Sequence, residues 1–281
     1  MEPGGLIGAR AACYLALLLV AGLPLHALAA GRPLSGRGRF ALAVLALGGA
    51  VASAWWALES VAAMAGIGLA ELDQPTAEAV LAATPLGAVM EWRLTALVAV
   101  IAAAALPLRV LRAPVMALGG AVALCSMAWT GHAGASELAL HRWADALHLL
   151  AAATWIAALV SFVAGALSPA TPDVAGLARF VRTGSAVVAV LILTGTVNTL
   201  AIAGWPPVLH SRWSVLLAIK IALFALMLAL AASNRWRIVP ALERGEPGAR
   251  GRLRRSLLAE LAAGLGVAVL VALLGVLDPA A

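Results

Sequence analysis

The stretch "TGHAGASELALHRWADALHLLAAATWIAAL", residues 130–159, combines a membrane-spanning pattern with an unusual density of polar side chains. Its second half is an apolar run typical of a spanning helix. Three histidines and one aspartate lie within or just before that run. Ionisable side chains in a spanning helix cost about 2.5–3.5 kcal/mol each on insertion scales. Each of these residues therefore needs a partner inside the protein or a function.

The composition of the full chain indicates a membrane protein built from helices. Hydrophobic residues make up 63 % of the 281 positions and charged residues 11 %, against roughly 45–50 % and 25 % in soluble domains. Segments of about ten residues with alternating polarity, the signature of a membrane barrel, are not visible. Cys13 and Cys125 lie in separate apolar runs and form no CxxC pair, so no disulfide framework is expected. The sequence thus predicts an all-α, polytopic helical bundle.

Eight segments meet the requirement of about 20 mostly apolar residues for a spanning helix. The predicted spans are residues 6–30, 40–64, 86–106, 113–130, 143–167, 180–203, 213–233 and 256–277. The connections between them are short except for 66–85 and 234–255. We expect a single integral membrane domain that covers residues 1–281.

The distribution of positive charge predicts the orientation of the bundle. Most of the 19 lysines and arginines fall in the first, third, fifth and seventh connections. Because cytoplasmic loops carry the excess of Lys and Arg, the basic connection 234–255 is placed in the cytoplasm. The connection 66–85 and both termini are then periplasmic. This bias, together with a lipid-headgroup preference of 244–255, accounts for the net charge of +6. No nucleic-acid partner is expected.

The first apolar segment has two interpretations. Arg10, the apolar run that follows and "ALAAG" at residues 27–31 resemble a signal peptide with a small-residue cleavage site. The run is about 20 residues long, whereas the apolar region of a signal peptide has about 7–15. Cleavage would also leave Arg32, Arg37 and Arg39 on the outer side, against the charge bias. A retained first helix is favoured.

Polar residues of several helices are predicted to lie at one level near the outer ends of the spans. At a rise of about 1.5 Å per residue, that level contains Glu59, Arg93, His148, Asn198 and Lys220. In the fifth span, Asp145 and His148 are three residues apart and Trp155 follows His148 by seven. This spacing puts all three on one helix face. That face is expected to turn toward neighbouring protein.

Two charged residues have simpler expected partners. Lys220 lies too far inside its span to snorkel easily, so Glu59 or Asp145 is expected to pair with it. Glu260, close to the cytoplasmic end of the last span, is expected to snorkel or to pair with Arg254 or Arg255.

Histidines and methionines indicate a metal site at the outer end of the bundle. Four of the five histidines are predicted there, namely His132, His141, His148 and His210. Met64, Met90 and Met127 lie at a similar level. Thioether sulfur selects Cu(I) and imidazole accepts copper in either oxidation state, so copper as Cu(I) or Cu(II) is the expected ion. Plain solvation is the alternative for His141 and His210, and apolar packing is the alternative for the methionines.

A series of short motifs in a fixed order resembles the copper-resistance D (CopD) family of bacterial inner-membrane proteins. The motifs are "TPLGAVMEWR" at 84–93, "GHA" at 131–133, "DALHLLAAATWIAAL" at 145–159, "RF" at 179–180, "TGTVNT" at 194–199, "LLAIK" ending at Lys220, and "AASNR" ending at Arg235 with Pro240 following. The resemblance covers a core of about 84–240 and is strongest over 131–240. Where the family commonly has a glycine pair after the tryptophan of the fifth helix, this chain has Ala157 and Ala158.

The resemblance implies an eight-helix protein that moves copper across the inner membrane or handles it within that membrane. It implies a small periplasmic copper-binding protein of the CopC type as a partner, in addition to membrane lipid. By the same analogy His132 and His148 become the leading metal contacts. The supporting positions are Asp145, Trp155, Asn198 and Lys220.

The leading hypothesis is therefore a copper transporter in which an outer His and Met mouth captures the ion and passes it to the layer around Asp145 and His148. Capture requires neutral imidazole and should weaken below pH about 6.5. A membrane b-type cytochrome with haem between paired histidines such as His132 and His148 is one alternative. A copper-insertion factor without net transport is another. No nucleophile stands beside a base in a recognisable motif, so an enzyme is not expected.

Overall fold

A computed structural model describes residues 4–106, 111–168, 174–204 and 211–279. Within these ranges eight helices are long and apolar enough to cross a membrane, which confirms the predicted fold class. The helices are α1 (Gly4–Ala29), α2 (Gly36–Ala65), α3 (Gln74–Ala83), α4 (Leu86–Ala105), α5 (Arg112–Cys125), α6 (His132–Ala135), α7 (Ala139–Leu167), α8 (Val174–Ala203), α9 (Arg212–Ser233), α10 (Val239–Glu243) and α11 (Ala249–Leu274). A 3₁₀ segment, Ser126–Trp129, extends α5, and a π-helical segment, Asn234–Ile238, joins α9 to α10.

The first helix lies at the centre of the bundle. α1 packs against α2, α5, α7 and α11. Glycines permit the closest of these approaches, because a Cβ at Gly22 would collide with the carbonyl oxygen of Ala153 on α7. A Cβ at Gly120 on α5 would lie 2.6 Å from the carbonyl oxygen of Val20. Small residues let helix backbones approach in this way inside a membrane, where close packing drives association.

The outer surface of the bundle is apolar, as a lipid environment requires. Phe40 is 73 % exposed and Leu193 is 68 % exposed. α8 packs mainly against α7, and α9 packs mainly against α11. α7 is thus the helix that connects the central helix to the peripheral helix α8, and its side chains position the candidate site.

The helix that carries the histidines begins earlier than the hydropathy predicts. α7 starts at Ala139, four residues before the predicted start at Trp143. The hydroxyl of Ser136 accepts a hydrogen bond from the backbone of Leu138 just before this start. The prediction that His141 belongs to an outer loop is therefore wrong, since His141 lies in the first turn of α7 and is buried.

Both long connections contain helices. The connection 66–85 holds α3, whose N-cap residue Asp73 accepts a hydrogen bond from the backbone of Thr76 at 2.9 Å. That bond lowers the pKa of the Asp73 carboxyl below its usual value. The connection 234–255 is also helical for most of its length. α9 continues through the π-helical segment into α10, and α11 begins at Ala249.

The turn between α10 and α11 is held by charge. Glu246 forms ion pairs with Arg244 at 2.7 Å and Arg252 at 3.2 Å. The hydrogen bond from Arg244 is the main cause that lowers the pKa of Glu246. Exposed pairs of this kind contribute little to stability, so they shape the turn more than they stabilise the fold.

The two ends of the described chain meet. A Cβ at Gly275, which follows α11, would collide with the guanidinium of Arg10 in α1. A ring N–H of His132 also donates a hydrogen bond to the backbone carbonyl of Leu277. We call this the terminus end of the bundle. The opposite end, which carries residues such as Arg32 and Arg179, is called the arginine-rich end.

Candidate metal-handling site

Two hydrogen bonds join the polar face of α7 to α8. The amide Nδ2 of Asn198 donates to Oδ1 of Asp145 at 3.0 Å. Nδ1 of His148 lies 2.9 Å from Oγ1 of Thr194. Asp145 and His148 thus face neighbouring protein. Their i, i+3 spacing predicted a common helix face, and both side chains contact the same helix, α8.

The hydrogen-bond network around Thr194 determines which nitrogen of His148 carries the proton. The Thr194 hydroxyl donates its only hydrogen to the carbonyl oxygen of Val190 at 2.6 Å. Thr194 can therefore act toward His148 only as an acceptor, so Nδ1 of the imidazole is the donor. In the neutral ring the proton is then on Nδ1 and the lone pair is on Nε2. The backbone carbonyl of Leu191 also lies within hydrogen-bonding range of this ring. Gly195 lies beside the same ring: a Cβ at this position would be 3.4 Å from Cε1 of His148.

A third helix adds a positive charge to this layer. Lys220 of α9 interacts electrostatically with both Asp145 and His148. Arg10 of α1 also acts on Asp145. We call Asp145, His148, Thr194, Asn198 and Lys220 the polar layer. It contains one carboxylate, one neutral imidazole nitrogen with a free lone pair, and a cation that an incoming metal ion would have to displace or tolerate.

The terminus end above the polar layer holds two neighbouring histidines. His132 of α6 and His141 of α7 interact electrostatically. His141 is only 2 % exposed, and its Nδ1 is buried without a hydrogen-bond partner. Burial is the largest cause that lowers the pKa of His132, and the charge of Arg10 lowers it further. His132 is therefore neutral at neutral pH, which is the form that binds metal.

The predicted methionines do not form one layer with these histidines. Met127 is 1 % exposed and belongs to the central apolar cluster around α1. Met90 packs in a different cluster with Trp56 and Leu86. His210 lies outside the described residues. Over the described ranges, no three His, Cys, Asp or Glu side chains come close enough together to hold a metal ion.

Arg93 and Glu59 lie apart from the polar layer, which corrects the expectation that five helices converge there. Arg93 is fully buried, donates to Oγ of Ser126 at 2.7 Å and lies 4.9 Å from the ring centre of Trp56. Glu59 accepts a hydrogen bond from the indole of Trp55 at 3.1 Å. The partner of Lys220 is thus Asp145 and not Glu59.

Trp155 belongs to a second buried cluster, farther from the terminus end. Its indole Nε1 donates to Oε1 of Glu260 at 3.0 Å, and Nδ2 of Asn234 lies 3.3 Å from Oε2 of the same carboxyl group. Phe224 packs edge-on against Trp155. The expectation that Glu260 snorkels or pairs with an arginine is wrong, because this side chain is 2 % exposed and faces α7.

Comparison with known proteins gives two family matches in different parts of the chain. Residues 1–142 match the family described as "Copper resistance protein D-like, N-terminal domain", and residues 174–274 match "Copper resistance protein D". A relative named "Copper resistance protein D" from Pseudomonas syringae pv. tomato is 37 % identical over 305 residues, with 99 % of this chain and 98 % of the relative covered. The chain belongs to the copper resistance protein D family.

A second relative agrees with this family and with the membrane fold. "Inner membrane protein YebZ" of Escherichia coli (strain K12) is 29 % identical over 244 residues, which cover 81 % of this chain and 83 % of the relative. No solved structure matches the chain. The predicted resemblance is confirmed, and with eight spanning helices the protein is a multi-pass inner-membrane member of the family.

The position where this copper resistance protein D homologue departs from the family motif is tightly packed. Ala157 and Ala158 on α7 are both fully buried. The Cβ of Ala157 lies beside Gly22 of α1, where the two helices approach most closely. Alanine is small enough for this contact, so the packing function of the position is retained.

Two residues of the site were not recognised from the sequence of this family member. Arg10 lies inside α1 and acts on both His132 and Asp145, but its place near the start of an apolar run made it resemble a flanking charge. Thr194 lies in the motif at 194–199, but the sequence predicts no role for its hydroxyl. Its spacing of four residues from Asn198 is the available signal, because it puts both side chains on the face of α8 that meets α7.

Proposed function

We propose that this protein transports copper across the inner membrane and acts as a transporter and not as an enzyme. The observation that carries the proposal is the polar layer, in which Nε2 of His148 has a free lone pair and Asp145 lies three residues away on the same helix. A ligating histidine in a metal site typically donates its other ring N–H to a fixed acceptor. Thr194 supplies such an acceptor here.

The proposed path begins at the terminus end. His132 and His141 capture the ion with neutral imidazole nitrogens, and the polar layer receives it next. Membership of the copper resistance family supports copper as the ion. A periplasmic carrier of the CopC type is the proposed donor to this end, in line with the orientation that the charge distribution predicts.

The donors of the polar layer are nitrogen and oxygen. Nitrogen and oxygen donors suit Cu(II), whereas Cu(I) prefers thiolate and thioether sulfur. Met127 and Met90 are buried in apolar clusters, so thioether sulfur does not contribute to the layer. The thiol of Cys125 lies near Asp145 but donates to the carbonyl oxygen of Ala146 at 3.8 Å. We therefore propose Cu(II) as the form that reaches Asp145 and His148.

Purified protein in liposomes tests the proposal. Copper uptake is measured with Cu(II) and with Cu(I) for the wild type, for His148→Ala and for Leu147→Ala, a matched control because Leu147 is exposed on the lipid side of the same turn. The proposal requires Cu(II) uptake by the wild type and the control and a loss in His148→Ala. Copper binding without flux would instead indicate an insertion factor. A stoichiometric Soret band would indicate haem.

A further inference from the structure

Glu260 is a buried carboxyl group for which the proposed copper path has no use. It lies on α11, is 2 % exposed and is contacted from two other elements. Trp155 of α7 donates to Oε1 at 3.0 Å, and Asn234, the first residue of the π-helical segment, has its Nδ2 3.3 Å from Oε2. Both partners are neutral. Trp155 and Asn234 therefore hold the carboxyl group in place without supplying a positive charge.

No cation pairs with Glu260 within the described part of the chain. The two arginines expected to pair with it, Arg254 and Arg255, are exposed and lie one to two turns away on α11. On α7 the nearest titratable group is His148, seven residues or about 10 Å from Trp155. On α9 it is Lys220, 14 residues or about 21 Å from Asn234.

The other charged and titratable groups on the elements around Glu260 do not bond to it. They are Arg10, Cys13, Tyr14 and His26 on α1, His141, Arg142 and Asp145 on α7, Arg212 on α9, Arg235 and Arg237 on the π-helical segment, Glu243 on α10, and Arg250 and Arg252 on α11. None of them forms a hydrogen bond or ion pair with Glu260. A bare charge buried in this way costs several kcal/mol, and a bound proton removes the charge without any rearrangement of the helices.

Asn234 can serve either protonation state of the carboxyl group. Its Oδ1 is buried and has no hydrogen-bond partner. A side-chain amide that turns over exchanges its donor for its acceptor, so Asn234 can donate to a carboxylate or accept from a carboxylic acid. A π-helical turn, such as the one that begins at Asn234, frequently occurs at functional sites.

A cavity at the arginine-rich end approaches Glu260. It has a volume of about 330 Å³, and its lining includes Phe162 on α7 and Leu253 and Leu257 on α11. Leu257 and Leu253 precede Glu260 by three and seven residues, so all three share one face of α11. The cavity therefore extends from the arginine-rich end to within about one helical turn of the carboxyl group.

We propose that Glu260 is a proton-binding site that exchanges a proton with the arginine-rich end and couples copper movement to proton movement. The reaction is the addition of one proton to the carboxylate to give the carboxylic acid, and its reversal. The coupling step rests on the proposed transport function; the proton site itself does not. α7 provides the link, because it carries His148 in the polar layer and Trp155 at the carboxyl group. A shift of this one helix changes both sites.

Infrared difference spectroscopy tests the proton site without reference to transport. Lipid-embedded wild type, Glu260→Gln and Glu246→Gln are compared between mildly acidic and mildly alkaline pH. Glutamine keeps the size and an acceptor for Trp155, and Glu246 is an exposed control in the α10–α11 turn. The wild type and Glu246→Gln are expected to show the carbonyl band of a titrating buried carboxylic acid, and Glu260→Gln is expected to lack it. Identical spectra for wild type and Glu260→Gln would overturn the inference.

Liposomes with an imposed gradient of about one pH unit, a tenfold ratio of proton activity, test the coupling. The initial rate of wild-type copper uptake should change several-fold with the gradient, while Glu260→Gln should show one rate in both conditions. Copper uptake by wild type that ignores the gradient rules out coupling. If Glu260 titrates but the protein moves no copper, the proton site is retained and the transport proposal is refuted. Failure of the coupling and failure of the transport proposal are therefore distinguishable.

Discussion

Nδ1 of His148 donates to Oγ1 of Thr194 at 2.9 Å, while the Thr194 hydroxyl donates to the carbonyl oxygen of Val190 at 2.6 Å. The direction of the second bond fixes the direction of the first. One threonine thereby selects the Nδ1–H tautomer of a histidine on the neighbouring helix and leaves its Nε2 free. This relationship connects the packing of α7 and α8 to the metal chemistry that we propose.

Replacing Thr194 with valine should weaken copper binding without removing the imidazole. Valine has nearly the same shape but accepts no hydrogen bond, so both tautomers and other ring orientations become accessible. Loss of such an outer partner typically costs about 10–100-fold in metal affinity. Titration of purified Thr194→Val with copper measures the loss. Thr194→Ser, which keeps the hydroxyl, should bind like the wild type, and equal affinity in all three proteins would exclude a role for the tautomer.

Removing the charge of Lys220 should strengthen copper binding at the polar layer. Lys220 acts on both Asp145 and His148, so its ammonium group opposes a second cation there. One unit charge at several Å in a partly buried site is worth about 1–2 kcal/mol, which predicts roughly tenfold tighter binding in Lys220→Met. Lys220→Arg, which keeps the charge, should resemble the wild type. Weaker binding in Lys220→Met would mean that Lys220 organises the site instead of opposing the ion.

The fold was predictable because each spanning helix is encoded locally. A run of about 20 apolar residues specifies a span by itself, and all eight predicted spans correspond to helices. The helix extensions were less predictable, since α10 is only five residues long and the start of α11 is strongly basic. Their formation depends on the turn around Glu246 and on packing against α9.

The candidate site was predictable only where both partners lie on one helix or at one depth in adjacent helices. The common face of Asp145 and His148 follows from helix geometry. Depth alone, however, does not determine which side chains meet, because that also depends on the order in which the helices pack around the bundle. Arg93 shares the predicted depth but faces Ser126 and Trp56. Trp155 and Glu260 are 105 positions apart, and no local pattern predicts their contact.

Copper capture at the terminus end should persist below the pH at which an ordinary histidine becomes charged. Burial and Arg10 lower the pKa of His132 from its usual value of about 6.5, so its imidazole stays neutral and able to bind metal as the pH falls through that value. Copper binding measured over a pH series should therefore decline only below pH about 6.5.

The lowered pKa of His132 also predicts how the stability of the folded protein depends on pH. The unfolded chain protonates His132 more readily than the folded protein does, so this residue favours unfolding as the pH falls below about 6.5 and has no effect above it. His132→Gln should remove this part of the pH dependence from both copper binding and thermal unfolding. A wild-type binding curve that declines well above pH 6.5 would contradict the proposed role of the neutral imidazole.

Gly22→Ala should destabilise the protein, and Gly48→Ala should not. A Cβ at Gly22 collides with the carbonyl oxygen of Ala153, whereas a Cβ at Gly48 of α2 meets nothing within 4 Å. Overpacking of a tight interior typically costs about 1–3 kcal/mol, while alanine in an exposed helix position is favoured over glycine by up to about 1 kcal/mol. Denaturation of the two variants in detergent micelles compares these effects directly.

The Gly22 variant also tests whether the centre of the bundle positions the metal site. Ala153 lies five residues from His148 on α7, so a displacement of α7 away from α1 moves His148 relative to Thr194 on α8. We therefore expect Gly22→Ala, at a temperature where it remains folded, to bind copper more weakly than Gly48→Ala. Unchanged copper affinity in a clearly destabilised Gly22→Ala would show that α7 and α8 move as one unit, and that the His148–Thr194 hydrogen bond alone positions the imidazole.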